Sequence, residues 1–181
     1  MIKRIKLTKN LYLKEVTLRD VRYVFKLRSN KFLTRYINPR KNDTIKKQLD
    51  WLKGYLERRK NNEEFYFIFQ IKNKNIYKNL GFARIIKLDN NTFHFGGWIL
   101  EKNTKPWIAL ESCLSIYEYA FKELKYKKSL LWINLKNLDV INYHKSLGAK
   151  FVKKDKKEIY LSFDIKKYNK LRKKFSNFFL K

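Results

Sequence analysis

The chain is short of the residues that staple, kink or coordinate. Its 181 residues include one cysteine, two prolines, five glycines and two histidines. A lone thiol, Cys113, excludes an internal disulfide and a thiolate cluster, so no metal site is expected and a reducing compartment is. Long hydrophobic runs are also missing. None approaches the roughly 18 apolar residues of a membrane span, which points away from stable membrane insertion. The first residues, Met1-Ile2-Lys3-Arg4-Ile5-Lys6-Leu7, are basic but lack the uninterrupted apolar stretch of a signal peptide, and a cytoplasmic protein is expected.

Acidic residues are scarce. Asp and Glu number 16 against 44 Lys and Arg, a formal net charge of +28. Clustered lysines bind phosphates by releasing counterions, but here the lysines are spread along the whole chain rather than set in blocks. Lys, Asn, Ile, Phe and Tyr are abundant together, as coding in an AT-rich genome produces. A solvated lysine-rich surface is the simpler reading and nucleic acid is not the expected partner; a charge-driven association stays open as the alternative.

What is present is a regular change of hydrophobic period. The hydrophobic fraction of 44% suffices for one core and one domain. Leu11 to Val16 reads as a strand, and Thr17 can cap a helix over Leu18 to Arg28 with Val21, Val24, Phe25 and Arg28 on one face. The cluster Asn38-Pro39-Arg40-Lys41-Asn42-Asp43 breaks the chain, and Thr44 opens a second helix to about Arg59 with Ile45, Leu49, Leu52 and Leu56 as its stripe. Glu64 to Lys72, Asn79 to Leu88 and Thr92 to Leu100 follow as an antiparallel meander. Ile108 to Leu124 is the strongest helical pattern, with Leu110, Leu114, Tyr117, Ala120 or Phe121 and Leu124 spaced by threes and fours. Leu130 to Leu135 reads as a strand and Val140 to Leu147 as a short helix. Phe151-Val152 and Ile159 to Phe163 form a hairpin around Asp155-Lys156-Lys157. The order makes an α/β protein with helices packed on a sheet.

After Phe163 the chain changes character. Asp164 is a plausible N-cap, and Ile165, Tyr168, Leu171, Phe175 and Phe178 recur at helical spacing, with lysines elsewhere. Residues 1–163 are therefore expected to form one domain. Residues 164–181 are expected to form a basic amphipathic helix packed on that domain or on a partner subunit, a homodimer being one arrangement; an anionic membrane surface is the alternative resting place.

Two stretches carry a resemblance. Gly96 to Ala149 in particular, within a match from about Leu11 to Phe163, is similar to the GNAT superfamily of acyl-CoA-dependent N-acyltransferases. In that superfamily a bulged central strand runs into a Gln/Arg-x-x-Gly-x-Gly/Ala loop and a long helix; the loop here is Thr104-Lys105-Pro106-Trp107-Ile108-Ala109. Thr104 replaces the usual Gln or Arg, Trp107 replaces Gly, and Lys105 can supply the charge of the missing arginine. Family members also carry Asn-x-x-Ala/Ser-x-x-x-Tyr-x-x-x-Gly-Phe, for which this chain has Asn137, Val140, His144, Gly148 and Ala149.

The resemblance implies a GNAT-like mixed, mostly antiparallel central sheet flanked by helices, with the C-terminal helix added. It implies acetyl-CoA as acyl donor, held by Ile99, Leu100, Thr104, Lys105, Trp107, Ile108, Ala109 and Asn137. His144 stands where the family keeps a tyrosine facing the sulfur. An imidazole with an ordinary pKa near 6.5 can protonate a departing thiolate; contact with cofactor or substrate, or simple packing, are the other readings. His94 lies on the strand leading to Gly96-Gly97-Trp98, on the opposite face from Phe93 and Phe95. It is either a base or water-holder facing the acceptor amine or a partly exposed strand histidine. The consecutive glycines suggest a bulge, where the family's sheet splays and an amide N–H faces the thioester oxygen.

Acceptor choice in the superfamily comes from the first two helices and their connection. Arg28, Arg35 and Tyr36 there, with Trp98, are the candidate substrate-binding residues. They resemble the branch of ribosomal-protein N-terminal acetyltransferases and nucleotide-amino-sugar N-acetyltransferases, and a nucleotide-linked sugar amine suits a basic site with aromatic walls. A protein Nα-acetyltransferase and a non-catalytic basic RNA-binding module are the competing readings.

Overall fold

A computed structural model of the chain describes residues 3–37 and 44–180. The chain break read at residues 38–43 lies outside them. In chain order the elements are β1 (Arg4–Ile5), β2 (Leu11–Glu15), α1 (Val21–Arg28), α2 (Ile45–Lys60), β3 (Glu64–Asn73), β4 (Ile76–Lys87), β5 (Thr92–Leu100), α3 (Pro106–Glu118), β6 (Lys128–Asn134), α4 (Leu138–Ser146), β7 (Lys150–Lys154), β8 (Glu158–Asp164) and α5 (Ile165–Lys174). The strands form one sheet in the order β1-β2-β3-β4-β5-β6-β8-β7. Every neighbouring pair is antiparallel except β5 and β6, which are parallel.

The sheet separates two cores. On one face α3, α4 and α5 pack over Phe65, Phe67, Phe93, Phe95, Leu131 and Phe163. On the other, α1 and α2 cover Tyr66, Ile68, Phe82 and Ile99. Strand alternation produces both sets, since successive residues of β3 point to opposite faces.

Three helices differ from their sequence patterns. The first opens as a 3-10 turn, Leu18–Asp20, because the Asp20 carboxylate turns back to accept the Thr17 backbone N–H at 2.9 Å and to pair with Lys14. In α1 the buried line runs through Val24 and Leu27, while Phe25 and Arg28 are only half-buried beside it. In α2 the expected stripe of Ile45, Leu49, Leu52 and Leu56 is rotated, and Gln48, Leu52 and Tyr55 are the buried residues. Tyr55 decides this rotation. Its ring meets Tyr66 edge-on at 5.8 Å and its hydroxyl accepts the Tyr66 backbone N–H at 3.3 Å, so burial leaves its polar tip bonded. The long helix starts at Pro106, stops as α3 at Glu118 and continues as a π turn over Tyr119–Glu123.

Buried carboxylates tie the long helix to both ends of the chain. Glu111 accepts hydrogen bonds from the backbone N–H groups of Asn10 at 2.7 Å and Leu11 at 3.0 Å. Glu118 accepts the Tyr168 hydroxyl and pairs with Arg172 of α5. The Asp164 side chain accepts the Lys167 N–H at 2.8 Å, and Tyr168 and Leu171 are buried against the α3 side of the sheet.

Candidate active site

The site begins where β5 and β6 stop pairing. Their parallel register runs only from Thr92 opposite Lys128 to His94 opposite Leu130. Beyond it the strands part, because β5 carries a bulge: Phe82 pairs with Ile99 and Arg84 with Gly96, which leaves Ala83 facing two residues. Gly97 holds φ +58°, a left-handed conformation that favours glycine. The extra residue also places Phe95 and Trp98 on the same face, with ring centroids 5.8 Å apart. A cleft of about 810 Å³ opens in the gap, lined among others by Arg35, Tyr36, His94, Gly96, Trp98, Trp132, Asn137, His144 and Lys157.

The two histidines stand on opposite faces of the sheet at this gap. Phe93 and Phe95 belong to the α3-side core, so His94 between them faces the other way. The expectation of partial exposure fails: His94 is 6% exposed. Its ring lies on that of Trp132, with centroids 3.3 Å apart and planes 6° from parallel. Nδ1 is 3.0 Å from the Leu130 carbonyl. A carbonyl oxygen only accepts, so Nδ1 donates its hydrogen there and Nε2 of the neutral ring carries the lone pair. Burial lowers the pKa to about 4, and the like charge of Arg84 adds to that, against the Leu130 contact which opposes it.

His144 is packed on the α3–α4 side, 3% exposed, against the rings of Phe95, Trp98 and Tyr143. Burial pushes its pKa down to about 4. Its Nδ1 is buried without a hydrogen-bond partner among the described residues, an arrangement that costs free energy unless a ligand satisfies it. Trp98 is held alongside, its indole N–H donating to the Ser112 hydroxyl at 3.2 Å.

Of the remaining candidates, the cleft brings in Arg35, Tyr36 and Asn137. Arg35 is exposed, donates to the Phe32 carbonyl at 2.8 Å and lies over the Tyr36 ring at 4.9 Å. Arg28 does not line the cleft; it is half-buried on α1, and its Nε has no hydrogen-bond partner among the described residues. Thr104, Lys105, Trp107, Ile108 and Ala109 lie at the start of α3, outside the cleft lining, as do Ile99 and Leu100 at the end of β5. Ile108 cannot offer its backbone N–H freely, because that group donates to the Lys105 carbonyl at 2.9 Å. Pro106 has none, and the Trp107 N–H is one of the donors that a first helical turn cannot satisfy internally.

Sequence reasoning missed Trp132 and the lysines of the β7–β8 turn, Lys156 and Lys157, all of which line the cleft. Alternation puts Trp132 on the same face of β6 as Leu130, but that this face meets His94 is decided by the register of β5 and β6. The lysines come in because the sheet order carries that turn to the mouth of the gap.

The backbone edge of β5 past His94, left unpaired by β6, and the orphaned Nδ1 of His144 fit an acyl-CoA donor entering the gap from the α3–α4 side. The chain is similar over 99% of its length to the whole of a nucleotide-linked sugar GNAT, FdhC, at 28% identity and a TM-score of 0.86. A spermidine N-acetyltransferase from Vibrio cholerae, solved with CoA and spermine, shares 15% identity and a TM-score of 0.74, with 88% of this chain and 98% of that one covered. RimL, a ribosomal-protein alpha-N-acetyltransferase solved with CoA, shares the fold at 9% identity and a TM-score of 0.76, over 90% of this chain and 98% of that one. No curated protein sequence matches the chain. No helix among the described residues is long and apolar enough to cross a membrane. The model of the acetyltransferase (GNAT) domain matches residues 10–150, and on that match and the splayed sheet the chain belongs to the GNAT family and is an acyl-CoA-dependent acetyltransferase.

Proposed function

We propose that the enzyme transfers an acetyl group from acetyl-CoA to a primary amine on a nucleotide-linked amino sugar of surface glycan biosynthesis, by direct attack in a ternary complex. The observation that carries the reading is the gap between β5 and β6, which has His94 on one face and His144 on the other. A donor and an acceptor can enter from opposite faces and meet in it.

On the donor side, the unpaired β5 edge toward Ile99 and Leu100, the Trp107 N–H, the Lys105 ammonium and Asn137 would hold acetyl-CoA, which supplies an activated acyl group. Thr104 and Ala109 flank that helix start, and Ile108 contributes packing rather than an N–H. His144 contacts the donor as a neutral ring that completes its hydrogen bonding. On the acceptor side, Arg35, Lys156 and Lys157 are the cations that would pair with a diphosphate, set among the carboxylates of Asp139, Asp155 and Glu158 in the same cleft lining, and Tyr36 gives it an aromatic wall. Trp98 packs with His144 and so belongs with the donor side rather than with the acceptor.

The full-length similarity to a nucleotide-linked sugar enzyme supports the acceptor class. Thiol release from acetyl-CoA, measured with nucleotide-linked amino sugars, spermidine and N-terminal peptides of ribosomal proteins, tests it. Turnover with the sugars above that with peptides or polyamine is the expected result; the reverse order moves the enzyme to the protein or polyamine branch. Membership of the family sets aside the non-catalytic RNA-binding alternative.

A further inference from the structure

We propose that Trp132 is a positioning residue of the transfer, whose indole face holds the His94 imidazole so that Nε2 takes a proton from the acceptor's ammonium group. The proposal rests on the amine-acetylation reading above. It starts from the three contacts that enclose the His94 ring. Nδ1 is bonded to the Leu130 carbonyl at 3.0 Å. Nε2 occupies the space beside Gly96, where a Cβ would lie 2.1 Å from it. The indole covers the ring face at a centroid distance of 3.3 Å. The first two contacts act in the plane of the imidazole and set which edge points where. Neither stops the ring from tilting out of that plane; only the face-on contact does.

Trp132 is free for this work. It belongs to neither core, is half-buried, and lines the cleft beside His94. A tryptophan needed only for packing would be expected inside one of the two clusters. The face it offers also suits the product of the proton transfer, because an aromatic face attracts a cation resting on it. That matters here: burial and the Arg84 charge both disfavour a charged His94, and the indole face opposes them at the moment when the imidazolium forms.

An N–H bond of the acceptor ammonium breaks and an Nε2–H bond forms, which frees the nitrogen lone pair to attack the thioester carbonyl. The C–S bond breaks as the amide forms, the second proton of the nitrogen leaves on the thiol, and His94 returns its own proton to water.

Full-length protein with ¹⁵N-labelled histidine tests the proposal in three forms: wild type, Trp132→Phe and Trp132→Leu. The ring nitrogen shifts of His94 report its tautomer and need no acceptor. The wild type and Trp132→Phe should show hydrogen on Nδ1 alone, and Trp132→Leu a mixture of tautomers. In parallel, kcat with acetyl-CoA and a nucleotide-linked amino sugar should fall about tenfold or more in Trp132→Leu, with KM for acetyl-CoA unchanged and most of the rate restored in Trp132→Phe. A His94 tautomer equally locked in all three proteins overturns the proposal, whether or not turnover changes. Should the sugar be the wrong acceptor, the kinetic arm is silent for the wild type as well, and the tautomer alone decides.

Discussion

Gly96 has no side chain where the imidazole of His94 lies: a Cβ built on Gly96 would stand 2.1 Å from Nε2. Real atoms do not approach so closely, so in Gly96→Ala the ring must move. The displaced nitrogen is the one proposed to meet the acceptor, and an error of about 1 Å in such a group costs on the order of 10²-fold in rate. We expect Gly96→Ala to keep its circular dichroism spectrum and lose turnover by about that factor; full activity would separate His94 from the chemistry.

The buried His144 bears on the pH dependence. An acid that protonates the leaving thiol must itself be charged, and burial takes this imidazole from 6.5 to about 4. At pH 7 only about one ring in 10³ carries the proton. Turnover should therefore show no falling limb through the neutral range, because the charged form of His144 is already absent there. His144→Phe should lower kcat about tenfold through the lost hydrogen bond, with His144→Tyr recovering part of the loss. A falling limb with an apparent pKa near 7 that vanishes in His144→Phe would restore the acid role.

Both histidines also make the fold sensitive to mild acid. Each has a folded pKa of about 4 against an ordinary 6.5. Below 6.5 the unfolded chain binds protons that the folded one refuses, so stability falls as pH drops from about 6.5 towards 4. The loss is on the order of 3 kcal/mol per ring, large beside a total of roughly 5–15 kcal/mol. Urea midpoints at pH 7.5 and 4.5 should differ markedly in the wild type and much less in a His94→Phe, His144→Phe double variant.

Lys105 separates donor binding from helix stability. It is the exposed N-cap of α3, whose first turn contains no acidic residue. Glutamate there favours the helix dipole but repels a pyrophosphate. Lys105→Glu should hold or raise the melting temperature while weakening CoA binding about tenfold by calorimetry. Unchanged affinity would move the phosphates away from this helix start.

The C-terminal segment fills core space. Tyr168, Leu171 and Phe179 are 0%, 7% and 2% exposed, and burying each such side chain contributes about 1.5–3 kcal/mol. Deletion from Asp164 onward should bring the melting temperature down sharply or prevent folding, with no change in sedimentation with anionic vesicles. A truncated protein as stable as the intact one that no longer sediments with vesicles would give the segment to the membrane.

The sequence by itself determined the order and type of the elements from β2 onward, the Asp164 cap and the glycine bulge, because these follow from hydrophobic period and backbone freedom, which are local; β1, two residues long, has no period to read. The spacing from Asn137 through His144 to Gly148 was legible through its resemblance to the GNAT pattern, not through periodicity. Only the tertiary structure decided what surrounds each of these residues. Alternation could put His94 on one face of a strand, but not stack it on Trp132, bond it to Leu130 and bury it. The buried stripe of α2 turned on Tyr55, whose hydroxyl has a partner only once β3 lies beneath it. The lysines of the β7–β8 turn reach the cleft because β8 inserts between β6 and β7. Charge state and hydrogen-bond satisfaction depend on neighbours far away in the chain, so His94 and His144, ordinary imidazoles in sequence, become neutral, buried groups on opposite sides of one gap.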